Sequence, residues 1–367
     1  MKVLHLGKNV PPSTGGIELF TYDLLECLNA NGVQADLLCF GEKNINGVYN
    51  GFNFYSCEMN LKIRSAPISI DFIKKFKKIE STYDIIHIHS PNPLAEILSI
   101  FSSKPKIIHW HSDIVKQKIL LHFYKPIQQI ALKKSKKIIF TSPQYLNSSK
   151  QALKYKYKSI VIPLGINKKR LDFCDKDSLF AKIYNKINNK KIILSIGRLV
   201  YYKGFEYLIK AAKFLPKDAV IIIIGNGYLY NSLKELINKL NLNNVYLLGR
   251  VDNIGIFLKN CDIFCLPSIE RSEAFGLVLA EALYYDKPLI TTNVDGSGMN
   301  YINKQGETGL VVSPKNPESL ARAINELLDD KHLYQKFVMN IKKWKSEFDI
   351  SKISNQIISV YSDIIKK

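Results

Sequence analysis

Two cations in the second half of the chain have the types and spacing of a diphosphate site. Gly197-Arg198 ends an apolar segment, and Lys203-Gly204 follows within the next turn. Arginine offers a planar fork of donors and lysine a compact charge, a combination that suits a diphosphate. Arginine is scarce, with 6 residues against 46 lysines, so an arginine directly after a predicted strand is informative. The alternative is a pair of ordinary surface cations.

Two glutamates eight residues apart could bind the hydroxyl groups of a sugar. Glu273 precedes a predicted helix and Glu281 lies about two turns inside it. Glu273 could accept hydrogen bonds from sugar hydroxyls, and the backbone amides of 275–277 (Phe275, Gly276 and Leu277) at the helix start could donate. Glu281 could accept both hydroxyls of a ribose. Acidic residues are common at helix starts in any case, so the position after a strand supports the hypothesis more than the spacing does.

A glycine pair, Gly15-Gly16, follows the first predicted strand and opens a helix. Such a pair lets the backbone approach an anion at a helix N-terminus. A turn that needs positive φ would select the same residues. The pair lacks the G-x-G-x-x-G spacing of a dinucleotide fingerprint, which counts against a dehydrogenase.

Alternating apolar strands and helices must position these residues. Residues 1–166 alternate from a strand at 2–6 to a strand at 159–162, and residues 191–347 repeat the pattern from a strand at 192–196. This alternation predicts an α/β fold with two doubly wound parallel sheets. The polar stretch 167–190 is interpreted as the linker, and the helical tail, predicted from 332 onward, should return at 348–367 to the N-terminal domain. In such sheets ligands bind beyond the carboxyl ends of the strands.

Composition and charge restrict the class of protein. With 367 residues and 46% hydrophobic residues, the chain has enough apolar material for two globular domains. The six cysteines lie in apolar runs without framework spacing, which indicates reduced core residues. The net charge of +20 is concentrated in 101–170, where 16 basic residues accompany one acid, Asp113. That field favours an anionic partner, but no nucleic-acid motif accompanies it.

The ordered motifs resemble family 4 of the glycosyltransferases, retaining enzymes with the GT-B fold, in which two Rossmann-like domains face an interdomain cleft. The resemblance extends over nearly the whole chain. It rests on Gly15-Gly16, His109-Trp-His-Ser-Asp113, Ile162-Pro-Leu-Gly-Ile166, Gly197-Arg198, Lys203-Gly204, Gly249-Arg-Val251 and Glu273 to Glu281.

The resemblance implies a donor site in the second domain. Arg198 and Lys203 would hold the donor diphosphate, with Gly15 and Gly16 approaching it from the other domain. Glu273 and the amides of Phe275, Gly276 and Leu277 would bind the donor sugar. Glu281 would bind the ribose, and the backbone of Val251 would contact the base.

The resemblance also places His111 near the donor sugar and the reaction centre, so the implied catalytic residues are His111, Glu273, Arg198 and Lys203. Histidines in apolar strands are often hydrogen-bonded core groups, and this interpretation applies more strongly to His87, His89 and His109. Asp113 could orient an acceptor hydroxyl or cap the following helix.

The implied reaction retains the anomeric configuration, with the acceptor hydroxyl attacking on the face that the diphosphate leaves. Catalysis would then consist of positioning and electrostatics, without a metal or other cofactor. Asp175-Lys-Asp177 has the Asp-x-Asp pattern of metal-dependent GT-A enzymes, but it lies in the polar linker and is interpreted as chance.

One departure concerns Asn300, which stands where many family members have a glutamate after a glycine pair. The segments around Gly296 and Gly306 are similar to bacterial transferases that build O-antigen or capsular polysaccharide, several of them mannosyltransferases. This similarity implies GDP-mannose as donor and a lipid-linked oligosaccharide as acceptor. The alternatives are a UDP-sugar donor (N-acetylhexosamine, glucose or galactose), a nucleotide-sugar epimerase, which would act without an acceptor, and a non-catalytic sugar-binding protein.

The basic stretch 101–170 predicts attachment to an anionic membrane surface. A predicted helix over 115–134 mixes lysines with apolar and aromatic residues, and Lys154-Tyr-Lys-Tyr-Lys158 continues the pattern. Basic amphipathic segments bind anionic leaflets. The start of the chain does not have the pattern of a secretory signal, and no apolar run approaches 18 residues. We therefore expect a cytoplasmic enzyme at the inner face of the plasma membrane.

Overall fold

The computed structural model describes residues 1–13, 15–63, 66–115, 118–172, 178–187 and 190–366. The chain divides into an N-terminal unit, Met1–Ile166 with Glu347–Lys367, and a C-terminal unit, Asn167–Ser346. The segment Asp175–Asp177 and Cys174 lie outside the described residues.

The strands of the N-terminal unit are β1 (Lys2–Asn9), β2 (Gln34–Gly41), β3 (Ile45–Tyr49), β4 (Phe52–Glu58), β5 (Leu61–Ile63), β6 (Ala66–Ile68), β7 (Ile85–Ser90), β8 (Lys106–Trp110), β9 (Lys137–Phe140) and β10 (Ser159–Val161). Eight of them form one sheet with the order β10-β9-β8-β7-β1-β2-β4-β3, and β5 and β6 form a separate two-stranded sheet. The helices of this unit are α1 (Gly16–Ala30), α2 (Ile70–Ile79), α3 (Pro93–Phe101), α4 (Lys118–Lys134) and α5 (Pro143–Ser148), joined at the end of the chain by a further helix.

The central strands of this sheet are buried along their length and pair in parallel, as the apolar runs predict. The prediction of an entirely parallel sheet was wrong at the edge, where β3 pairs antiparallel with β4. Such an edge strand is mostly solvated, and the turn-favouring Asn46-Gly47 at the centre of β3 hides it in the sequence. The helix that we predicted from 115 begins at Lys118 within the described residues.

The strands of the C-terminal unit are β11 (Lys191–Ile196), β12 (Ala219–Ile224), β13 (Val245–Gly249), β14 (Ile263–Leu266), β15 (Leu289–Thr292) and β16 (Gly309–Val312). They form one parallel sheet with the order β13-β12-β11-β14-β15-β16. The helices of this unit are α6 (Lys168–Leu171), α7 (Ser178–Ile187), α8 (Phe205–Ala211), α9 (Tyr230–Lys239), α10 (Ile254–Asn260), α11 (Leu277–Tyr284), α12 (Met299–Ile302), α13 (Pro317–Asp329) and α14 (Lys331–Trp344). The stretch 167–190 that we expected to be a linker contributes α6 and α7 to this unit.

The last helix, α15 (Ile350–Ile365), packs on the N-terminal unit. The single helical tail predicted from 332 was wrong, because a 3-10 turn at Lys345–Phe348 separates α14 from α15 and the Asp349 side chain caps α15. At Gly165 an added Cβ would lie 2.9 Å from the Ile350 Cα, so only glycine permits this close packing.

Two further expectations concern cysteines and membrane spans. Cys39, Cys57, Cys261 and Cys265 are buried and Cys27 is half-buried, all as free thiols. Burial raises the pKa of Cys261 to about 12, as expected for an unreactive core thiol. Among the described residues, none of the helices combines the length and apolar character needed to cross a bilayer.

Candidate functional site

The candidate site of the C-terminal unit lies where the neighbouring strands β11 and β14 end. A short 3-10 turn, Tyr201–Lys203, follows β11. The Tyr202 carbonyl in this turn accepts a hydrogen bond from the Ile269 amide, at 2.7 Å, in the segment after β14. The bond joins the two segments, and Lys203 therefore lies beside Glu273.

Gly204 makes this junction possible. Its φ is +68°, in the left-handed region, and an added Cβ would lie 2.1 Å from the Pro267 carbonyl oxygen. A side chain at this position would be strained and would push the turn away from the segment after β14. The glycine of the Lys203-Gly204 motif thus has a structural reason independent of any ligand.

Lys203 and Glu273 form a buried ion pair, with 2.5 Å between Lys203 Nζ and Glu273 Oε2. Each side chain is 10% exposed. Ser268 Oγ donates to the same carboxylate oxygen at 3.1 Å, and the Ser297 hydroxyl donates to the Glu273 carbonyl. Two of the sequence-predicted residues are therefore brought together, in a setting where either charge without the other would be costly.

Glu281 is also buried and paired, with a residue that sequence analysis did not identify. Arg170 Nη2, on α6, lies 2.8 Å from Glu281 Oε1 on α11. The hydroxyl of Tyr285 donates to the Leu171 carbonyl at 2.5 Å and helps to hold α6 against α11. Arg170 is one of the chain's six arginines, and this scarcity was the available signal for it.

The remaining predicted donor residues are spread along the same strand ends. Arg198 lies two residues after β11 and is exposed, whereas Val251 lies two residues after β13 and is half-buried. The helix predicted to start at Phe275 begins at Leu277, because Gly276 has φ +82° and ends the loop in the left-handed region. The amides of 275–277 therefore lie at the loop-to-helix junction, and their role toward a ligand stays a prediction.

In the N-terminal unit the glycine pair opens α1, with Gly15 as its N-cap and Gly16 as its first residue. Gly15 has φ −71°, so a turn requiring positive φ does not explain it. A small pocket lies between the start of α1 and the ends of β1 and β7. It is lined by Gly7, Lys8, Asn9, Ile17, Glu18, Thr21, Tyr22, Leu37, His89 and Pro91.

Five buried histidines form one row across β1, β7 and the end of β8. They are 0–2% exposed, and they are His5, His87, His89, His109 and His111. Their rings stack, with centroids 4.4 Å apart for His109 and His111 and an angle of 10° between the planes. His111 is therefore a buried, hydrogen-bonded core histidine like the other four. It is the one of the five that lies beyond the carboxyl end of its strand.

Burial keeps these imidazoles neutral. Desolvation, followed by the neighbouring histidines, lowers the pKa of His111, His109, His87 and His5 well below 6.5, and desolvation lowers the pKa of His89 to about 3. A neutral imidazole has one N–H donor and one acceptor nitrogen. The row can therefore form hydrogen bonds from ring to ring without burying charge.

Asp113 is held by contacts within the unit. Its Oδ1 accepts hydrogen bonds from Trp110 Nε1 at 2.9 Å and from Ser149 Oγ at 2.6 Å, and its amide donates to the Tyr145 hydroxyl. The alternative that Asp113 caps the following helix was wrong, because Ile114 and Val115 directly after it are not helical and α4 begins, within the described residues, at Lys118. Its role toward an acceptor remains a prediction.

Comparisons with known proteins agree with this division of the chain. Residues 14–170 match the family described as Glycosyltransferase Family 4, and residues 177–344 match Glycosyl transferases group 1. O-antigen chain mannosyltransferase C of Escherichia coli is 30% identical over 100% of this chain and 99% of its own. D-rhamnosyltransferase WbpZ of Pseudomonas aeruginosa is 31% identical over 89% and 86% of the two chains.

A solved structure shows the same fold. Anabaena Alr3699/HepE, in complex with UDP and glucose, has a TM-score of 0.79 at 21% identity, over 99% of this chain and 100% of that one. The two Rossmann-like units have the architecture of the GT-B fold. The chain belongs to glycosyltransferase family 4, whose group 1 domain forms its C-terminal half.

The histidine row makes the stability of the N-terminal unit sensitive to acid. The folded state holds these rings neutral, whereas an unfolded chain protonates them at pH values below about 6.5. The free energy of unfolding should therefore be unaffected by them above about pH 6.5 and decrease as the pH is lowered below that value. Each histidine should contribute about 1.4 kcal/mol per pH unit. Urea unfolding followed by fluorescence at successive pH values measures this slope.

The matched variant His109→Gln removes one such group, so the slope of the free energy of unfolding against pH should decrease by about 1.4 kcal/mol per pH unit. A free energy of unfolding that stays constant from pH 7 to pH 5 would contradict the buried, neutral row.

Proposed function

We propose that this glycosyltransferase is a retaining, metal-independent hexosyltransferase that uses GDP-mannose as donor. The observation that carries the proposal is the buried Lys203–Glu273 pair at the ends of β11 and β14. It holds a cation suited to a diphosphate and a carboxylate suited to sugar hydroxyls 2.5 Å apart. The pair places both groups at one edge of the sheet, where the diphosphate and the sugar of one donor could be bound side by side.

The diphosphate would be bound by one buried and one exposed cation. Lys203 is fixed by its pair and by the Tyr201–Lys203 turn, whereas Arg198 is exposed and its guanidinium can reorient toward the ligand. Lys203 and Ser268 both engage Glu273 at Oε2, so we assign Oε1 to a hydroxyl of the donor sugar. The junction amides of Phe275, Gly276 and Leu277 would donate to the same sugar.

Glu281 would bind the ribose, with its orientation set by Arg170. The guanidinium holds Oε1 at 2.8 Å and turns the carboxylate within a buried site. A carboxylate fixed in this way can accept hydrogen bonds from neighbouring hydroxyls without losing further side-chain freedom. The base would meet the backbone at Val251, beyond the end of β13.

The chemical step in this proposal is front-face attack by the acceptor hydroxyl as the diphosphate leaves. Negative charge develops on the leaving oxygens, and preorganised cations stabilise it most effectively in a site that excludes water. Arg198 and Lys203 supply those cations, so we propose that no metal is required. His111 would act near the donor sugar, on the N-terminal side of the reaction.

The proposed acceptor is a lipid-linked oligosaccharide in the synthesis of O-antigen or capsule. This part is supported by the names of the two relatives, an O-antigen chain mannosyltransferase and a D-rhamnosyltransferase. A UDP-sugar is the alternative donor, since the described residues that would meet the base include no side chain that distinguishes guanine from uracil. A nucleotide-sugar epimerase would instead turn over its substrate with no acceptor present.

An exposed basic and aromatic surface at the end of α4 would hold the enzyme on the inner face of the plasma membrane. Lys158 Nζ donates to the carbonyls of Leu132, Lys133 and Ser135, which joins the segment 153–158 to the end of α4. Lys134 Nζ donates to the Ile100 carbonyl and brings in the end of α3. The resulting surface carries the exposed side chains of Phe101, Lys133, Lys154, Lys156 and Tyr157.

Aromatic side chains among lysines are suited to an anionic bilayer, because the rings enter the interfacial region while the ammonium groups meet lipid phosphates. Phe101 is 82% exposed and Tyr157 is 80% exposed. Apolar exposure of this degree costs free energy in water, and the lipid interface would relieve it.

The first prediction concerns the diphosphate cation. Arg198→Ala should lower kcat about a hundredfold, because losing one such donor costs about 3 kcal/mol of transition-state stabilisation. Arg198 is exposed, so the fold should be unaffected. Removing Lys203 would instead strand the buried Glu273 carboxylate and destabilise the protein by about 3–5 kcal/mol. The measurement is the initial rate of nucleotide release from the sugar nucleotide that the wild type uses.

The matched control is Arg322→Ala, which removes an exposed arginine from α13 of the same unit. Its rate should equal that of the wild type. A near-normal rate for Arg198→Ala would refute the assigned role.

The second prediction concerns the membrane surface. Purified protein should sediment with vesicles that contain an anionic lipid and not with neutral vesicles. The variant Lys154→Gln/Lys156→Gln should bind anionic vesicles several-fold more weakly, because each lysine contributes about 1 kcal/mol near such a surface. The same charge change at exposed positions of α14, Lys331→Gln/Lys336→Gln, should have no effect. Equal binding to neutral and anionic vesicles would contradict the proposal.

A further inference from the structure

The buried histidines and Tyr361 of α15 form one continuous set of hydrogen bonds with two branches. In the long branch Tyr361 Oη meets His5 Nε2 at 3.2 Å, His5 Nδ1 meets His89 Nε2 at 3.0 Å, and His89 Nδ1 meets His111 Nε2 at 2.9 Å. In the short branch Tyr361 Oη meets His87 Nδ1 at 2.6 Å. His87 Nε2 then meets His109 Nδ1 at 3.3 Å.

Each branch ends on a buried ring nitrogen. Among the described residues, His111 Nδ1 and His109 Nε2 have no hydrogen-bond partner. The rings are neutral, so each has one N–H, and the Tyr361 hydroxyl has one proton. Every bond in the set needs one proton between its two atoms. Three arrangements satisfy all the bonds: the proton left over lies on His111 Nδ1, on His109 Nε2, or on a Tyr361 hydroxyl that accepts from both branches. In the first, the donors of the long branch point toward His111, and in the other two they point toward Tyr361.

Thr21 distinguishes the two directions. Its Oγ1 donates its one proton to the Ile17 carbonyl at 2.7 Å and lies 3.3 Å from His89 Nδ1. The hydroxyl can therefore only accept from His89. His89 must carry its proton on Nδ1, since a bare nitrogen would face the oxygen lone pairs. A proton on His89 Nδ1 points to His111 Nε2, which in turn leaves the His111 proton on Nδ1.

We infer that Thr21 is a positioning residue that fixes His111 as the Nδ1–H tautomer through His89, and that Tyr361 passes the same direction on to His87 and His109. The same direction makes all five histidines Nδ1–H tautomers. Tyr361 donates to His5 and accepts from His87, and it thereby couples the two branches. His111 then presents a buried N–H donor at the carboxyl end of β8, and His109 presents an acceptor.

The same rings could be suspected of binding a metal, because their nitrogens lie within 4.8 Å of one another in two groups of three. Their orientation opposes this. His89, His109 and His111 are stacked with interplanar angles of 10–18°, and lone pairs lying in nearly parallel planes do not converge on one ion. Ring-to-ring hydrogen bonds fit the observed orientation better than coordination.

The consequence for the reaction rests on the proposed function, which places His111 near the donor sugar. A fixed Nδ1–H can donate a hydrogen bond from that atom but cannot remove a proton with it. His111 would then stabilise developing negative charge rather than serve as a base at Nδ1.

Nitrogen NMR of the full-length protein labelled with 15N-histidine tests the inference directly, because protonated and bare ring nitrogens have well-separated shifts. The wild type should show all five buried histidines as Nδ1–H tautomers. An Nε2–H tautomer at His5, His89 or His111 would overturn the inference, as would a stoichiometric transition metal bound to these rings.

Variants at Thr21 separate positioning from a purely structural role, because only a positioning role predicts that the tautomers of His89 and His111 change. Thr21→Val keeps the shape but removes the acceptor, and it should give His89 and His111 a measurable Nε2–H population. Thr21→Ser restores the hydroxyl and should restore the wild-type tautomers. Unchanged tautomers in Thr21→Val would overturn the inference.

Tyr361→Phe should release the direction of the short branch and give His87 and His109 a measurable Nε2–H population, while Thr21 still holds His89 and His111 as Nδ1–H tautomers. The matched control is Tyr155→Phe, which removes another buried tyrosine hydroxyl, bonded to the Gln129 carbonyl, from the same unit. It should leave the histidine spectrum unchanged. GDP binding, measured on the same samples, reports on the proposed function separately, so a failure of either proposal is distinguishable from a failure of the other.

Discussion

The register of parallel strands places residues of neighbouring strands side by side, both within the sheet and just beyond its carboxyl edge, and both units of this protein depend on that constraint. In the C-terminal unit it brings Lys203, after β11, to Glu273, after β14. In the N-terminal unit it pairs His5 with His87 and His89 with His109 inside the strands, so that the histidines form one row. The C-terminal unit therefore keeps its polar site beyond the apolar strands, whereas the N-terminal unit has polar rings within its buried sheet.

The buried charges of the C-terminal unit are paired within the fold. Glu273 is held by Lys203 and Ser268, and Glu281 is held by Arg170. Preformed pairs of this kind limit the reorganisation needed when a ligand binds, since the carboxylates are already desolvated and oriented. The same pairs make the site intolerant of truncation, because either partner alone would leave an uncompensated buried charge. The N-terminal unit solves the equivalent problem without charge, by joining neutral imidazoles to one another and to Tyr361.

Local sequence signals predicted most of the architecture. Apolar runs located β7, β8, β11 and β14 to within a residue, and the rule for strand ends associated Lys203 with Glu273. Contacts between distant residues had no such signal. Arg170 meets Glu281 from 111 positions away, and Tyr361 meets His5 from 356. The antiparallel strand β3 was missed because its residues are largely solvated, and the break after α14 was missed because its apolar spacing continues into α15.

Titration calorimetry with GDP, UDP and ADP, each with and without Mg²⁺, tests the central claim most directly. That claim is that the C-terminal unit binds a nucleoside diphosphate through Arg198 and Lys203 without a metal. The account predicts binding of GDP in preference to UDP and ADP, with the same affinity in the presence and absence of Mg²⁺. Preference for UDP would move the donor to another sugar nucleotide. A requirement for Mg²⁺, or no binding of any of the three nucleotides, would contradict the account.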